Sequence, residues 1–386
     1  MKNVFAFIGV IGLLAFALQG CMEEPNPVGS GVIPPSDLLQ LDTATVSSIG
    51  SFSMKTVPNT VAPLNILVGK TSEYEAWALI RFTPIPDTLL FVDLIGAEIN
   101  LRSVSHFGDS LAPLSFDVHR VLTSWGGDSL NIDTLTAPGF YDPSISSTFQ
   151  MSTVGDTATI SIPLDTTLAR AWLNSPLDTA NTNFGVLLKP TNTSLVKGFA
   201  TAFSPTVAHR PQLVARYRRP GSASIDTVRL STSIATFAAT SSVTIPTGDS
   251  TRIYLQNGIS SHGIVDFTIS SLPPRATIHK AVMEITLDPL ASRLNSHTRD
   301  SVYAFFVDTT GTLTSLFAIS EPAVANGQKV YRISITSFVQ IWSRSDRPNR
   351  IALAGYAESY SLDSFVFYGA QSALKPKLTV TYSPVQ

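Results

Sequence analysis

The chain repeats itself, and the order of the repeat restricts its fold more than any single motif does. Leu41-Asp42-Thr43 opens one copy and Ile225-Asp226-Thr227 the other. Ile80-Arg81-Phe82-Thr83 answers Val265-Asp266-Phe267-Thr268, each followed by a proline-bearing turn. Ala97-Glu98-Ile99-Asn100-Leu101 answers Met283-Glu284-Ile285-Thr286-Leu287. Ile160 and Ile162 with Trp172 match Ile333 and Ile335 with Trp342, Asn183 matches Asn349, and Phe199 matches Phe365. The closing segments, Pro211 to Tyr217 and Pro376 to Tyr382, align without a gap. Within each copy the apolar period is two: Ala78, Ile80 and Phe82 alternate with Leu79 and Arg81, and Leu378, Val380 and Tyr382 with Thr379 and Thr381. Short alternating runs between Gly, Pro, Asn, Asp and Ser clusters predict antiparallel sheets packed face to face. The expected fold is all-β, two tandem jelly-roll-like antiparallel β-sandwiches. Leu164, Leu168, Ala171 and Trp172, and likewise Phe338, Ile341 and Trp342, recur at three-to-four spacing, which predicts one short helix per copy with its tryptophan in the core.

Four segments follow. Residues 1–20 carry Lys2, an apolar run over 4–18 and then Gln19 and Gly20, the layout of a secretory signal and too short to span a bilayer comfortably. Leu18-Gln19-Gly20-Cys21 resembles the lipobox of bacterial lipoproteins, with Gln19 the departure; the resemblance implies lipidation of Cys21, the chain's one cysteine. Met22 stands where an aspartate would resemble an inner-membrane retention signal, and Glu23 and Glu24 resemble an acidic surface-export tag, so the resemblance implies the outer membrane and its cell-surface side. Residues 21–39 form the tether, in which Pro25, Pro27, Pro34 and Pro35 bar a helix and predict an extended spacer. Residues 40–220 and 221–386 are the two β-sandwich modules, divided near Pro220 and Gly221.

The strand Ala78 to Phe82, the strand Ala97 to Leu101, then Val118-His119-Arg120-Val121 followed by Trp125 and Asp128, resemble in order the DNRLRE-type β-sandwich modules of bacterial surface proteins. That resemblance covers the first copy nearly throughout and implies carbohydrate binding or adhesion. The second copy has no tryptophan matching Trp125; after Val302 it runs Tyr303-Ala304-Phe305-Phe306-Val307-Asp308.

Charge and motifs narrow the function further. With 26 Lys and Arg against 28 Asp and Glu there is no basic field for nucleic acid, and membrane contact is expected through the lipid anchor only. The chain lacks a Gly-x-Ser-x-Gly elbow, a His-Glu-x-x-His pair and a phosphate-binding glycine loop, and its six histidines stand singly, so no enzyme and no cofactor are expected. Calcium is the one metal considered: Asp128, Asn131 and Asp133 could present hard oxygen ligands, or could simply make turns. For sugar binding the candidates are Trp125 and Trp77, whose rings could stack on a pyranose, with His119, Arg120 and Tyr141 as neighbours. Tyr356 and Tyr360, near Glu358, form a second cluster in the other copy. The expected partner is a polysaccharide or a surface protein. The rival readings are a scaffold that docks a partner in an envelope or motility assembly, and a polysaccharide-cleaving protein with its site between the copies.

Overall fold

A computed structural model describes residues 41–56, 60, 63–126, 130–174, 182–295, 299–345 and 348–384. The signal, Cys21, the spacer and Asp128 lie outside the described residues. The strands are β1 (Asp42–Lys55), β2 (Asn65–Lys70), β3 (Tyr74–Phe82), β4 (Asp93–Gly108), β5 (Leu114–Arg120), β6 (Ser147–Met151), β7 (Thr159–Leu164), β8 (Val186–Pro190), β9 (Leu195–Ala200) and β10 (Gln212–Arg218). They continue as β11 (Ile225–Ser241), β12 (Arg252–Gln256), β13 (Ser261–Phe267), β14 (Thr277–Thr286), β15 (Val302–Val307), β16 (Leu313–Ser320), β17 (Pro322–Ala325), β18 (Gln328–Ser334), β19 (Arg350–Gly355), β20 (Ser364–Tyr368) and β21 (Lys377–Ser383). Among the described residues three α-helices accompany them: α1 (Ile132–Thr136), α2 (Thr166–Leu173) and α3 (Thr336–Trp342).

The strands form two antiparallel sheet systems, one running β11-β10-β4-β9-β2-β3-β8-β5-β6 with β7 on β4, the other β16-β15-β19-β13-β1-β21-β14-β18-β17 with β12 and β20. The fold is therefore all-β and sandwich-like. Each system folds over on itself because its long strands change partners along their length. In β1, residues 42–47 pair with β21 and residues 48–55 with β13, with the register shifting between Ser48 and Gly50. In β11, residues 225–231 pair with β10 and residues 232–241 with β3, shifting between Thr232 and Ile234. An irregularity of this kind bends a strand, which is how one strand can serve two layers.

These pairings correct the linear division at 220–221. That point is the turn of the β10–β11 hairpin, and β11 belongs by hydrogen bonding to the strands before it. The strand β1, in turn, completes the strands that follow residue 250. The first unit is thus β2–β11, and the second is β12–β21 closed by β1, so the first described strand is paired to the last.

Each unit has its own apolar core. Ile80, Phe82, Ile99, Phe116, Ile162, Trp172, Leu188, Phe199 and Phe237 belong to the first, and Val265, Phe267, Ile285, Tyr331, Phe338, Trp342, Phe365 and Val380 to the second. Both helices sit where the three-to-four spacing puts them. The Asp165 side chain caps α2 by accepting from the Thr167 amide at 2.9 Å. Trp172 and Trp342 are buried, and among the described residues neither indole N–H has a hydrogen-bond partner. The units meet through Leu362, which packs into the first core although the second unit carries it.

Candidate functional site

Four of the five residues expected to bind sugar do come together, but as a plug. Strand β3 is apolar on both faces: Ala78, Ile80 and Phe82 enter the first core, while Trp77 and Leu79 face outward into a separate cluster with Val121, Trp125, Leu130, Leu135, Phe140, Leu187 and Ala238. The described parts of the connection from β5 to β6, residues 121–126 and 130–146, lie over that outer face. Trp125 is 6% exposed and Trp77 5%, so neither ring offers a stacking surface, which corrects the expectation for both. The Trp125 indole donates to the Phe184 carbonyl at 2.7 Å, and the Arg81 guanidinium lies 5.5 Å from its ring centre. The Trp77 indole donates to Glu75 Oε1 at 2.8 Å, with Lys189 Nζ 5.0 Å from its ring. His119 is buried, its Nδ1 3.0 Å from the Asp142 carbonyl oxygen and its ring edge-on to the half-buried Tyr141. Arg120 alternates to the face shared by Phe116 and Val118 and so does not join the cluster. Apolar contact decides this outcome, because an outer sheet face carrying Trp77, Leu79 and Leu187 is driven to be covered.

Of the calcium candidates, Asp128 lies outside the described residues and Asn131 has structural work. Asn131 caps α1: its Oδ1 accepts from the Thr134 amide at 2.8 Å and from the Thr134 hydroxyl at 2.9 Å. Asp133 sits in the first turn of that helix. Among the described residues no group of three or more His, Cys, Asp or Glu side chains could hold a metal ion.

The second unit has the same strand arrangement without the plug. Strand β15 lies between β19 and β16 as β5 lies between β8 and β6, but the β15–β16 connection is only the turn 308–312, held by Asp308 Oδ1 accepting from the Thr310 and Thr312 amides. The equivalent outer face therefore has no such connection laid over it. Its registered row crosses five strands: Phe52, Ile264, Ala352, Phe305 and Phe317 are successive lateral partners. At about 4.8 Å per strand this row is roughly 19 Å long. Ile264 and Ala352 form a buried floor on which Phe52 and Phe305 pack, and Phe317 is 54% exposed.

Beside the row stands a tyrosine cluster. Tyr303 stacks on Tyr356 with ring centres 5.4 Å apart and meets Phe317 edge-on at 5.3 Å. The Arg299 guanidinium is 4.8 Å from the Tyr356 ring centre and donates through Nε and Nη2 to Glu321 Oε1 at 3.1 and 2.6 Å. Burial, then the neighbouring Tyr356, raises the Tyr303 phenol pKa. Tyr360 is pushed up to about 12 by burial and by Tyr356 and Tyr303, against Arg299. Both phenols therefore stay neutral hydrogen-bond donors at ordinary pH. Rings with half-exposed faces, neutral hydroxyls and a flanking Arg–Glu pair form an amphipathic surface suited to stacking and hydrogen bonding together.

Tyr356 and Tyr360 are legible in the sequence as a cluster; Tyr303, Phe305 and Phe317 are not assigned to it. The usable signal is the run Phe305-Phe306: two adjacent rings on one strand must point to opposite faces, so one of them lies outside the core.

No family model matches the chain, and no curated protein matches it. Among solved structures, the D431N mutant VP2 protein of infectious bursal disease virus in derived T=1 particles aligns over 92% of this chain and 76% of that one, at 10% identity and a TM-score of 0.14. Among the described residues no helix is long and apolar enough to cross a membrane.

Proposed function

We propose that this protein is a lipid-anchored outer-membrane surface protein that binds polysaccharide through the uncovered aromatic face of its second unit. In this reading Cys21 carries the lipid, residues 21–39 are the spacer, and the two units are related jelly-roll-like modules of the DNRLRE type. One observation carries the binding function: two equivalent sheet faces differ in cover, and the one with no connection laid over it presents Tyr303, Phe305, Phe317 and Tyr356 with Arg299 and Glu321 at the rim. Ring stacking uses the flat apolar side of a sugar, and the phenols and the Arg–Glu pair take its hydroxyls.

Retardation of the protein in gels containing soluble polysaccharides tests the reading. Tyr356→Ala and Phe317→Ala are each expected to weaken retention about three- to tenfold, from a lost ring contact of about 0.5–1.5 kcal/mol. Equal retention of the wild type and the double variant on every polysaccharide that retains the wild type, or no retention on any, would count against it. A docking role has one specific support: β16 is a sheet edge exposing Leu313, Phe317 and Ile319, the kind of edge to which another strand can add. Co-purification of a defined protein partner that Phe317→Ala abolishes, without glycan retention, would favour that role.

A further inference from the structure

The seam between the units forms an open pocket of about 530 Å³, within the range of small-molecule sites. The first unit contributes residues 71–74, the turn from β2 to β3, and His106, Phe107 and Gly108 at the end of β4. The second contributes residues 292–295 and Leu362. The seam is fixed from both sides. The Tyr74 hydroxyl donates to Gln256 Oε1, and Asn295 Nδ2 donates to the His106 carbonyl. Gln256 Nε2 in turn donates to the Leu362 carbonyl at 2.9 Å.

A long ion pair, both of whose members are partly exposed, stands at the rim of this pocket. Arg293 Nε and Glu73 Oε1 are 4.0 Å apart, beyond hydrogen-bond reach. The Arg293 guanidinium is aimed by its own Nη1, which donates to the Leu290 and Ser292 carbonyls at 3.1 and 3.2 Å. Among the described residues the Glu73 carboxylate accepts no side-chain or backbone hydrogen bond, while Thr71 Oγ1 accepts from the Glu73 and Tyr74 amides and fixes the turn that carries it. An acceptor carried on an ordered turn, beside an oriented donor, suits a group that both donates and accepts. A carboxylated ligand would meet Glu73 and a cationic one Arg293, whereas a hydroxyl satisfies both. His106 is committed elsewhere, its Nδ1 2.9 Å from Asp156, which also accepts from the fully buried Lys197 at 2.7 Å.

We infer that the seam pocket binds a neutral, polyhydroxylated group, a short oligosaccharide or chain end, with Glu73 accepting from and Arg293 donating to adjacent hydroxyls. The site exists only where the two units meet, so its occupant would bridge them. It rests on the reading that the protein binds glycan, but at a site separate from the aromatic face.

The test uses the intact chain with labelled leucine methyls, titrated with maltotetraose, cellotetraose and mannotetraose, and with tetragalacturonate as the charged comparison. At least one neutral tetrasaccharide is expected to shift the Leu294 and Leu362 methyls saturably. Glu73→Gln, which keeps shape and removes only charge at a partly exposed position, is expected to weaken that response about tenfold, the usual size of a lost hydrogen bond to a charged group. The inference is overturned if no neutral tetrasaccharide moves these methyls, if tetragalacturonate alone moves them, or if Glu73→Gln binds as the wild type does while retaining its melting temperature. Gel retention lost in Tyr356→Ala with the seam response intact supports both sites. Retention by the aromatic face with a silent seam overturns this inference alone, and a responsive seam without any polysaccharide retention overturns the aromatic-face reading alone.

Discussion

Trp125 shows how a residue suited to binding can be assigned to structure by what lies beneath it. Its ring covers an apolar sheet face, and its indole and backbone carbonyl are both bonded, to the Phe184 carbonyl and to Arg81 Nη1 at 3.3 Å. Trp125→Ala should therefore cost about 3–5 kcal/mol of stability, read from urea unfolding, and leave polysaccharide retention unchanged. Loss of retention in a fully stable variant would reverse the assignment. Asp156 supplies a second case. Burial pushes its carboxyl up, but hydrogen bonds and charges from Lys197 and His106 outweigh burial and hold it below the usual range. A carboxylate whose folded pKa lies below its unfolded value of about 3.9 gives stability that is complete above that value and lost as pH falls through the folded one. Asp156→Asn strands the buried Lys197 charge, so it should cost about 3 kcal/mol at pH 7 and clearly less at pH 3, by unfolding titrations at both. An equal cost at both pH values would show that the carboxylate charge is not what matters.

At the scale of elements, the difference between the two units is a matter of one connection. Residues 121–126 and 130–146 cover the outer face of β3, β8 and β5; residues 308–312 turn directly and lay no such connection over the face of β13, β19 and β15, where Phe52 and Phe305 pack on Ile264 and Ala352. Replacing residues 122–140 with the 308–312 turn should uncover Trp77, shift its fluorescence to longer wavelength and lower the unfolding midpoint. Unchanged emission would mean that another segment covers the face. The first strand is the other decisive element. Its Ala44 and Val46 pack against the second core beside Val380 and Leu378, more than three hundred positions along the chain. Period two in residues 42–55 is visible in the sequence, but period says only that one face is buried, not in which core.

For the molecule as a whole, the pairing of β1 to both β13 and β21 closes the second unit with the first described strand. A fragment of residues 221–386 lacks that strand and carries β11 without its β3 and β10 partners. It should fail to give cooperative unfolding on its own and regain it when a peptide of residues 42–55 is added, as followed by circular dichroism. A fragment that folds fully without the peptide would refute the closure. In the proposed setting the spacer joins the protein at β1, so a pull on the anchor would load the ladders of the second unit before those of the first. The Glu358 carboxylate lies in that unit: burial pushes it up, yet His262 and the Ser260 hydroxyl, at 2.8 and 2.6 Å, hold it below the usual range.

Much of this architecture is written locally. Alternation at period two, the two helical stripes ending in Trp172 and Trp342, and the closing strands of each half depend on neighbours within a few residues, and a single chain displays them directly. His119 and Tyr141 are legible as neighbours of Trp125, and Tyr356 and Tyr360 as a cluster, whereas Trp77 joining the first group and Arg120 leaving it are not. Only the tertiary structure decided which core β1 and β11 complete, and which aromatic group stays uncovered. Both depend on contacts between segments far apart in the chain, where hydrophobic burial selects the partner and alternation is the same whichever partner it finds.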